Sequence, residues 1–200
     1  MFKRLTIQRD RLVSQYLKGG VLNYPTESCY GLGCKPSDPN GLKRILRIKG
    51  RPQHKGMIVI AHEIAQLKGL IEPLSDEDVR ILKQFWPGPF TFLLPASKKV
   101  LPLLRGKHRT LAVRITNHPV AASICKQVGA LVSTSANKAG CPSIKSARNG
   151  QKVFGQKVLT IADRIGKYSQ PSTIIDFSSG RVLRGQLTKD QQNLIKNRVL

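Results

Sequence analysis

The residues best suited to chemistry lie in three short stretches. The first, Lys49-Gly50-Arg51-Pro52-Gln53-His54-Lys55-Gly56, gathers four basic or potentially basic side chains around two glycines, with Pro52 fixing the turn. Arginine grips phosphate oxygens through a bidentate fork, and lysine supplies a compact point charge. The stretch suits a triphosphate or a nucleic-acid backbone; taken alone, it is more plainly a solvated charged turn. The second, Leu131-Val132-Ser133-Thr134-Ser135-Ala136-Asn137, empties an apolar run into hydroxyls and an amide. Such groups hold phosphate or carboxylate without adding charge, or merely cap the next segment. The third is Tyr24-Pro25-Thr26-Glu27, followed by Tyr30-Gly31-Leu32-Gly33. A strand end feeding a Gly-rich turn is a usual place for a ligand loop, with Thr26 offering a hydroxyl. It fits a plain strand-to-loop exit equally well.

Common catalytic motifs are missing from the sequence. It contains no G-x-x-x-x-G-K-[ST] loop, no G-x-G-x-x-G after a strand, no G-x-S-x-G elbow and no H-E-x-x-H. The four cysteines, Cys29, Cys34, Cys125 and Cys141, form no Cys-x-x-Cys pair and no His/Cys cluster with zinc spacing. They are expected to be free thiols, with Cys29 and Cys34 as small space-filling residues. No metal site is expected.

The elements that must position these stretches follow from periodicity and caps. Asp10 to Lys18 is predicted as a helix stopped by Gly19-Gly20, and Val21 to Tyr24 as a strand ended by Pro25. Asp38-Pro39 starts a helix whose apolar face carries Leu42, Ile45, Leu46 and Ile48. Met57-Ile58-Val59-Ile60 is a buried strand, and Ser75-Asp76-Glu77-Asp78 opens a helix with a capping-box pattern. Strands are predicted at Phe90 to Leu94, Leu111 to Ile115, Ala130 to Ser133, Val158 to Ile161, Thr173 to Phe177 and Arg181 to Arg184. A helix starts at Asn117 and Pro119, and another follows Thr188. The expected fold is α/β or α+β, with a twisted mixed sheet flanked by helices.

The 200 residues suffice for a single domain spanning 1–200, and no linker marks a boundary. No apolar run reaches the roughly 20 residues that span a bilayer. No signal core follows Met1-Phe2-Lys3-Arg4, so a cytoplasmic location without membrane contact is expected. Lysine and arginine number 34 against 11 acidic residues, a net charge of +23. Spread along the chain, that charge implies a basic face or cleft that attracts phosphates or polyanions.

In combination, the stretches resemble one family. Lys49-x-Arg51 followed by Ser135-x-Asn137 resembles the K-x-R and S-x-N signature of the YrdC family. Tyr24-Pro25-Thr26-Glu27, Lys55-Gly56, Trp86-Pro87-Gly88-Pro89-Phe90-Thr91, Leu111-Ala112-Val113-Arg114, Ser133-Thr134-Ser135-Ala136-Asn137 and Ser172-Thr173-Ile174-Ile175-Asp176 match it in the same order. The likeness runs from about Leu5 to Gly185 and is to the short, single-domain form.

The resemblance implies a twisted sheet around a deep basic cavity. It also implies synthesis of threonylcarbamoyl-adenylate and pyrophosphate from L-threonine, bicarbonate or CO2, and ATP, with Mg2+ arriving on the ATP. A separate threonylcarbamoyl-transferase complex would then modify the adenosine next to the anticodon of tRNAs reading codons that start with A. Lys49 and Arg51 would be catalytic and, with Lys55, would contact ATP phosphates. Thr110, Ser135, Asn137, Ser143 and Arg184 would complete the ATP site. Thr26, Arg114, Ser133 and Ser172 would hold threonine or its carbamate, Arg114 facing the carboxylate unless it serves only a structural salt bridge. Lys55 and Ile60 differ from some longer relatives. His54, His62, His108 and His118 match no catalytic role and are expected at the surface or in turns. The chief alternative is a tRNA- or double-stranded-RNA-binding factor in ribosome maturation; a paralogue using another acyl-adenylate substrate is a second.

Overall fold

The computed structural model describes residues 13–199. Residues 13–16 are helical (α1), within the helix expected from Asp10; residues 10–12 lie outside the described residues. The described strands form one nine-stranded mixed sheet. β1 (Leu22–Pro25) pairs antiparallel with β2 (Tyr30–Gly33), and β6 (Leu131–Ser135) lies antiparallel between β2 and β3 (Ile58–Ala61). β5 (Thr110–Ile115) runs parallel to β3 and antiparallel to β4 (Phe90–Pro95). β7 (Leu159–Thr160) extends the sheet beyond β1; β8 (Thr173–Asp176) and β9 (Val182–Arg184) extend it beyond β4.

Strand β2 corrects an expectation. Tyr30–Gly33 was expected as a Gly-rich turn, yet it is a fully buried strand. Its glycines serve close packing against β6: a Cβ on Gly33 would lie 2.3 Å from the Val132 carbonyl oxygen, and one on Gly31 3.2 Å from Ser133 Oγ.

Alternation along the strands divides the core between two faces. Leu22, Tyr24, Ile60 and Leu131 pack with Val13, Leu17 and the Ala121, Ile124 and Cys125 side chains of α5 (Pro119–Val128). Tyr30, Leu32, Val59, Val113 and Val132 join Leu42 and Ile45 of α2 (Pro39–Lys49). The same cluster holds Phe92, which makes edge-to-face contacts with Phe85, Trp86 and Phe177 at 5.2–5.5 Å between ring centres.

Caps decide where the helices deliver their ends. Asp38 accepts from the Asn40 N–H at 2.9 Å, and Gly50, at φ 60°, closes α2 in the left-handed conformation. The buried stripe Gly41, Leu42, Ile45 and Lys49 follows helical spacing, so the lysine emerges on the core side one turn beyond Ile45. The capping box of α3 (Asp76–Leu82) forms as expected between Ser75 and Asp78. Helix α5 starts at Pro119 as expected, with His118 and not Asn117 at its N-cap; the Asn117 N–H donates to Glu27 at 3.3 Å. α4 (Pro102–Arg105) and α6 (Ala147–Phe154) were not anticipated; α7 (Lys189–Val199) was.

Candidate active site

Two contiguous cavities open across the middle of the sheet. The first, of about 200 Å³, is lined by Thr26 at the exit of β1, Arg114 on β5, Ser133 on β6 and Ser172 just before β8. Ser135 and Ser143 complete its hydroxyl-rich wall. The second, of about 280 Å³, is lined by Lys55, Arg105, His108 and Thr110, and by apolar Leu93, Leu111, Ile174 and Leu183. Arg51, Arg184, Met57 and Ile58 border both. Two arginines therefore stand where the spaces meet.

Ten of the twelve predicted site residues line one cavity or the other; Lys49 and Asn137 line neither. They lie behind the wall and touch each other. Lys49 Nζ donates to Asn137 Oδ1 at 2.8 Å, to the Asn137 carbonyl at 3.0 Å and to the Ser135 carbonyl. Ser135 Oγ donates to the same Oδ1 at 2.7 Å, and Asn137 Nδ2 donates to the Cys141 carbonyl at 2.7 Å. The ammonium has traded water for fixed oxygens. Burial, and then the nearby Arg51 charge, push its pKa down to about 8.

The other cations are anchored in different ways. Arg51 forks onto the Gly56 carbonyl through Nε and Nη2, at 3.2 and 2.8 Å. Arg184 holds Ser172, donating from Nε to its carbonyl at 3.0 Å and from Nη2 to its hydroxyl at 3.2 Å. The fully buried Thr91 hydroxyl meets Ser172 Oγ at 2.8 Å. Burial lowers the pKa of both arginines, and Arg114 lowers that of Arg184 further. Arg114 is paired with buried Glu27, Nη2 to Oε2, at 3.0 Å. Glu27 Oε1 accepts from Thr116 Oγ1 at 2.6 Å and from the Asn117 N–H at 3.3 Å.

Sequence reasoning missed several lining residues. Met57 and Ile58 belong to a stretch that reads as pure core, yet they border both spaces. Cys29 is half-buried on the wall of the first cavity instead of filling the core, whereas Cys34 is buried as expected. His108 lines the second cavity. His118 lies in the connection between β5 and α5 but not at the surface: only 6% exposed, its Nε2 lies 3.0 Å from the Arg164 carbonyl. Among the described residues no group of three or more His, Cys, Asp or Glu side chains could hold a metal ion, and no helix is long and apolar enough to cross a membrane.

Residues 14–185 match the Sua5/YciO/YrdC family, described as telomere recombination. The chain belongs to this family. Among YrdC relatives, the threonylcarbamoyl-AMP synthase of Chromobacterium violaceum is 55% identical over 177 residues, covering 88% of this chain and 92% of that protein. The protein of the same name from Laribacter hongkongensis is 52% identical over 185 residues, covering 92% of this chain and 100% of that one. The crystal structure of P. abyssi Sua5 complexed with L-threonine superposes with a TM-score of 0.78 at 32% identity, over 84% of this chain and 51% of that one. This YrdC chain thus spans about half the length of that Sua5 protein.

Proposed function

We propose that this chain is a threonylcarbamoyl-AMP synthase, a nucleotidyltransferase that joins L-threonine, bicarbonate or CO2, and ATP taken as its Mg2+ complex. The observation that carries this reading is the meeting of two unlike cavities at Arg51 and Arg184. The hydroxyl-rich space around Arg114 suits an amino acid whose carboxylate faces a guanidinium. The space with basic and apolar walls suits a nucleotide, its phosphates turned toward Arg51 and Lys55. The names of the C. violaceum and L. hongkongensis relatives and the threonine complex of P. abyssi Sua5 point the same way.

The chemistry asks for alignment and positive charge. The neutral threonine amine adds to CO2, present as such or formed from bicarbonate by loss of water, and gives up a proton to solvent to leave a carbamate. One carbamate oxygen attacks the α-phosphorus of ATP; that O–P bond forms as the bond to the bridging oxygen breaks, and pyrophosphate leaves with the electron pair. The nucleophile is already an anion, so no strong general base is needed for the attack on phosphorus. The obstacle is bringing two anions together, which Arg51 and Arg184 at the junction relieve. Lys49 acts through the Ser135–Asn137 turn that it holds. The product would pass to a threonylcarbamoyl-transferase complex that modifies tRNA, a cytoplasmic route.

The test is pyrophosphate release from ATP, with and without L-threonine and bicarbonate, on wild type and Arg51→Ala. Release that needs both small substrates and is lost in the variant is expected. Release independent of threonine, or none, would overturn the reading.

RNA binding draws on different residues. Arg44, Arg47, Lys138 and Lys157 line a separate cavity of about 500 Å³ with only Ile48 beside them. A tRNA backbone would fit this charge pattern, and its affinity would fall steeply with salt.

A further inference from the structure

We propose that Glu27 is a positioning residue for the amino-acid substrate, acting through Arg114 from outside the cavity. The inference deepens the proposed function and rests on it. Residues on both sides of Glu27 line the first cavity: Thr26 before it, Ser28 and Cys29 after it. Glu27 itself does not; it is 3% exposed and its carboxylate points into the protein. That carboxylate gathers three groups from one segment of the chain, the end of β5 and its exit. They are Arg114 Nη2 at 3.0 Å, Thr116 Oγ1 at 2.6 Å and the Asn117 N–H at 3.3 Å.

The arrangement leaves Arg114 available. Its contact with Glu27 Oε2 is a charge contact without an aligned hydrogen bond, and its Nε is buried with no hydrogen-bond partner. A buried donor without an acceptor is costly, and among the described residues it leaves Glu27 as the one side chain shown holding this guanidinium, which lines the cavity. Glu27 compensates the guanidinium charge while the cavity lacks a carboxylate, and it fixes the plane of the fork when one enters. Thr116 in turn fixes Glu27, holding the oxygen that Arg114 does not use. Two layers of buried polar contact thus stand behind one substrate-binding group.

Glu27→Gln keeps the shape and the acceptor for Thr116 but removes the charge facing Arg114. The expected result is a rise of about tenfold or more in KM for threonine, with KM for ATP changed less than about threefold. A role confined to folding would not split the two constants. In the double variant Glu27→Gln/Arg114→Gln, threonine KM should equal that of Arg114→Gln alone, because Glu27 has nothing left to position. Threonine KM unchanged in a folded Glu27→Gln, or strictly additive losses in the double variant, would overturn the proposal. Should Glu27→Gln not fold, Thr116→Val retains both charges and removes the brace, together with the acceptor for the His118 N–H at 3.2 Å. It is expected to raise threonine KM about threefold at constant ATP KM, and no rise would overturn the proposal too. Wild-type turnover distinguishes the layers: its failure removes the synthase reading and this inference together, whereas an active wild type with an indifferent Glu27→Gln removes this inference alone.

Discussion

Lys49 Nζ lies 2.8 Å from Oδ1 of Asn137, a residue 88 positions away in the chain. The K-x-R and S-x-N stretches thus meet through their own side chains before any ligand arrives. Lys49 serves as the peg on which the turn after β6 hangs, leaving Arg51, two residues on, to face both cavities.

Lys49→Ala should leave the Ser135 and Asn137 carbonyls without their donor. A stability loss of about 1–3 kcal/mol is expected, together with slowed pyrophosphate release. Urea denaturation and the turnover assay check both. Full activity would mean that the turn holds its shape unaided.

The Lys49 pKa of about 8 also gives stability a pH signature. In the unfolded chain a lysine titrates near ~10.4. Between these values the unfolded state keeps a proton that the folded state has released, so stability gains as pH rises through that window. Below it both states are protonated and the burial cost stands in full. Subtracting the urea-midpoint profile of Lys49→Met from that of wild type should expose this rise; parallel profiles would contradict it.

Arg184→Lys keeps a charge but loses the fork that grips Ser172 at two points. Pyrophosphate release should fall by roughly 10²-fold in kcat, the scale seen when one oriented donor is lost from a transition state. KM for threonine should rise as well, because Ser172 lines the first cavity. Steady-state kinetics with each substrate varied would decide.

Gly166→Ala probes the segment that backs Glu27. The Gly166 N–H donates to the Thr26 carbonyl at 2.9 Å, and a Cβ on Gly166 would lie 2.6 Å from the Glu27 carbonyl oxygen. Backbone must shift, with an expected loss of about 1–3 kcal/mol and weaker threonine binding. Thermal melts with and without threonine would reveal both.

Thiol accessibility should separate the four cysteines. Cys141 is exposed and Cys29 half-buried at the cavity, while Cys34 and Cys125 are buried. Burial raises the pKa of both inner thiols, that of Cys125 to about 12, which starves them of reactive thiolate. A thiol reagent on the native protein should modify Cys141 and then Cys29, with threonine plus ATP shielding Cys29 alone. Rapid modification of all four would be inconsistent with this core.

Much of the scaffold could be read from local signals. The Asp38 cap, the Ser75 capping box and the apolar runs at β3, β4 and β5 each follow from side chains within a few residues. Strand β2 could not, because the glycines that look like a turn are demanded by β6, about a hundred residues later in the chain. α6 escaped because its polar sequence buries little more than Gly150 and Phe154. At the site, residue types indicated anion binding, but their division of labour is tertiary. Helical spacing from Leu42 and Ile45 turns Lys49 to the core side, but nothing local shows that it would meet Asn137, that Arg51 would face the cavities, or that Glu27 would find Arg114.

The site gathers contributions from both ends of the described chain: Thr26 follows the first strand, while Ser172 and Arg184 flank the last hairpin. During synthesis the polypeptide therefore has no complete binding site until β9 has left the ribosome. Catalytic competence arrives as a late event in the life of each molecule, and fragments ending before β8 should be inert even where most of the sheet can assemble.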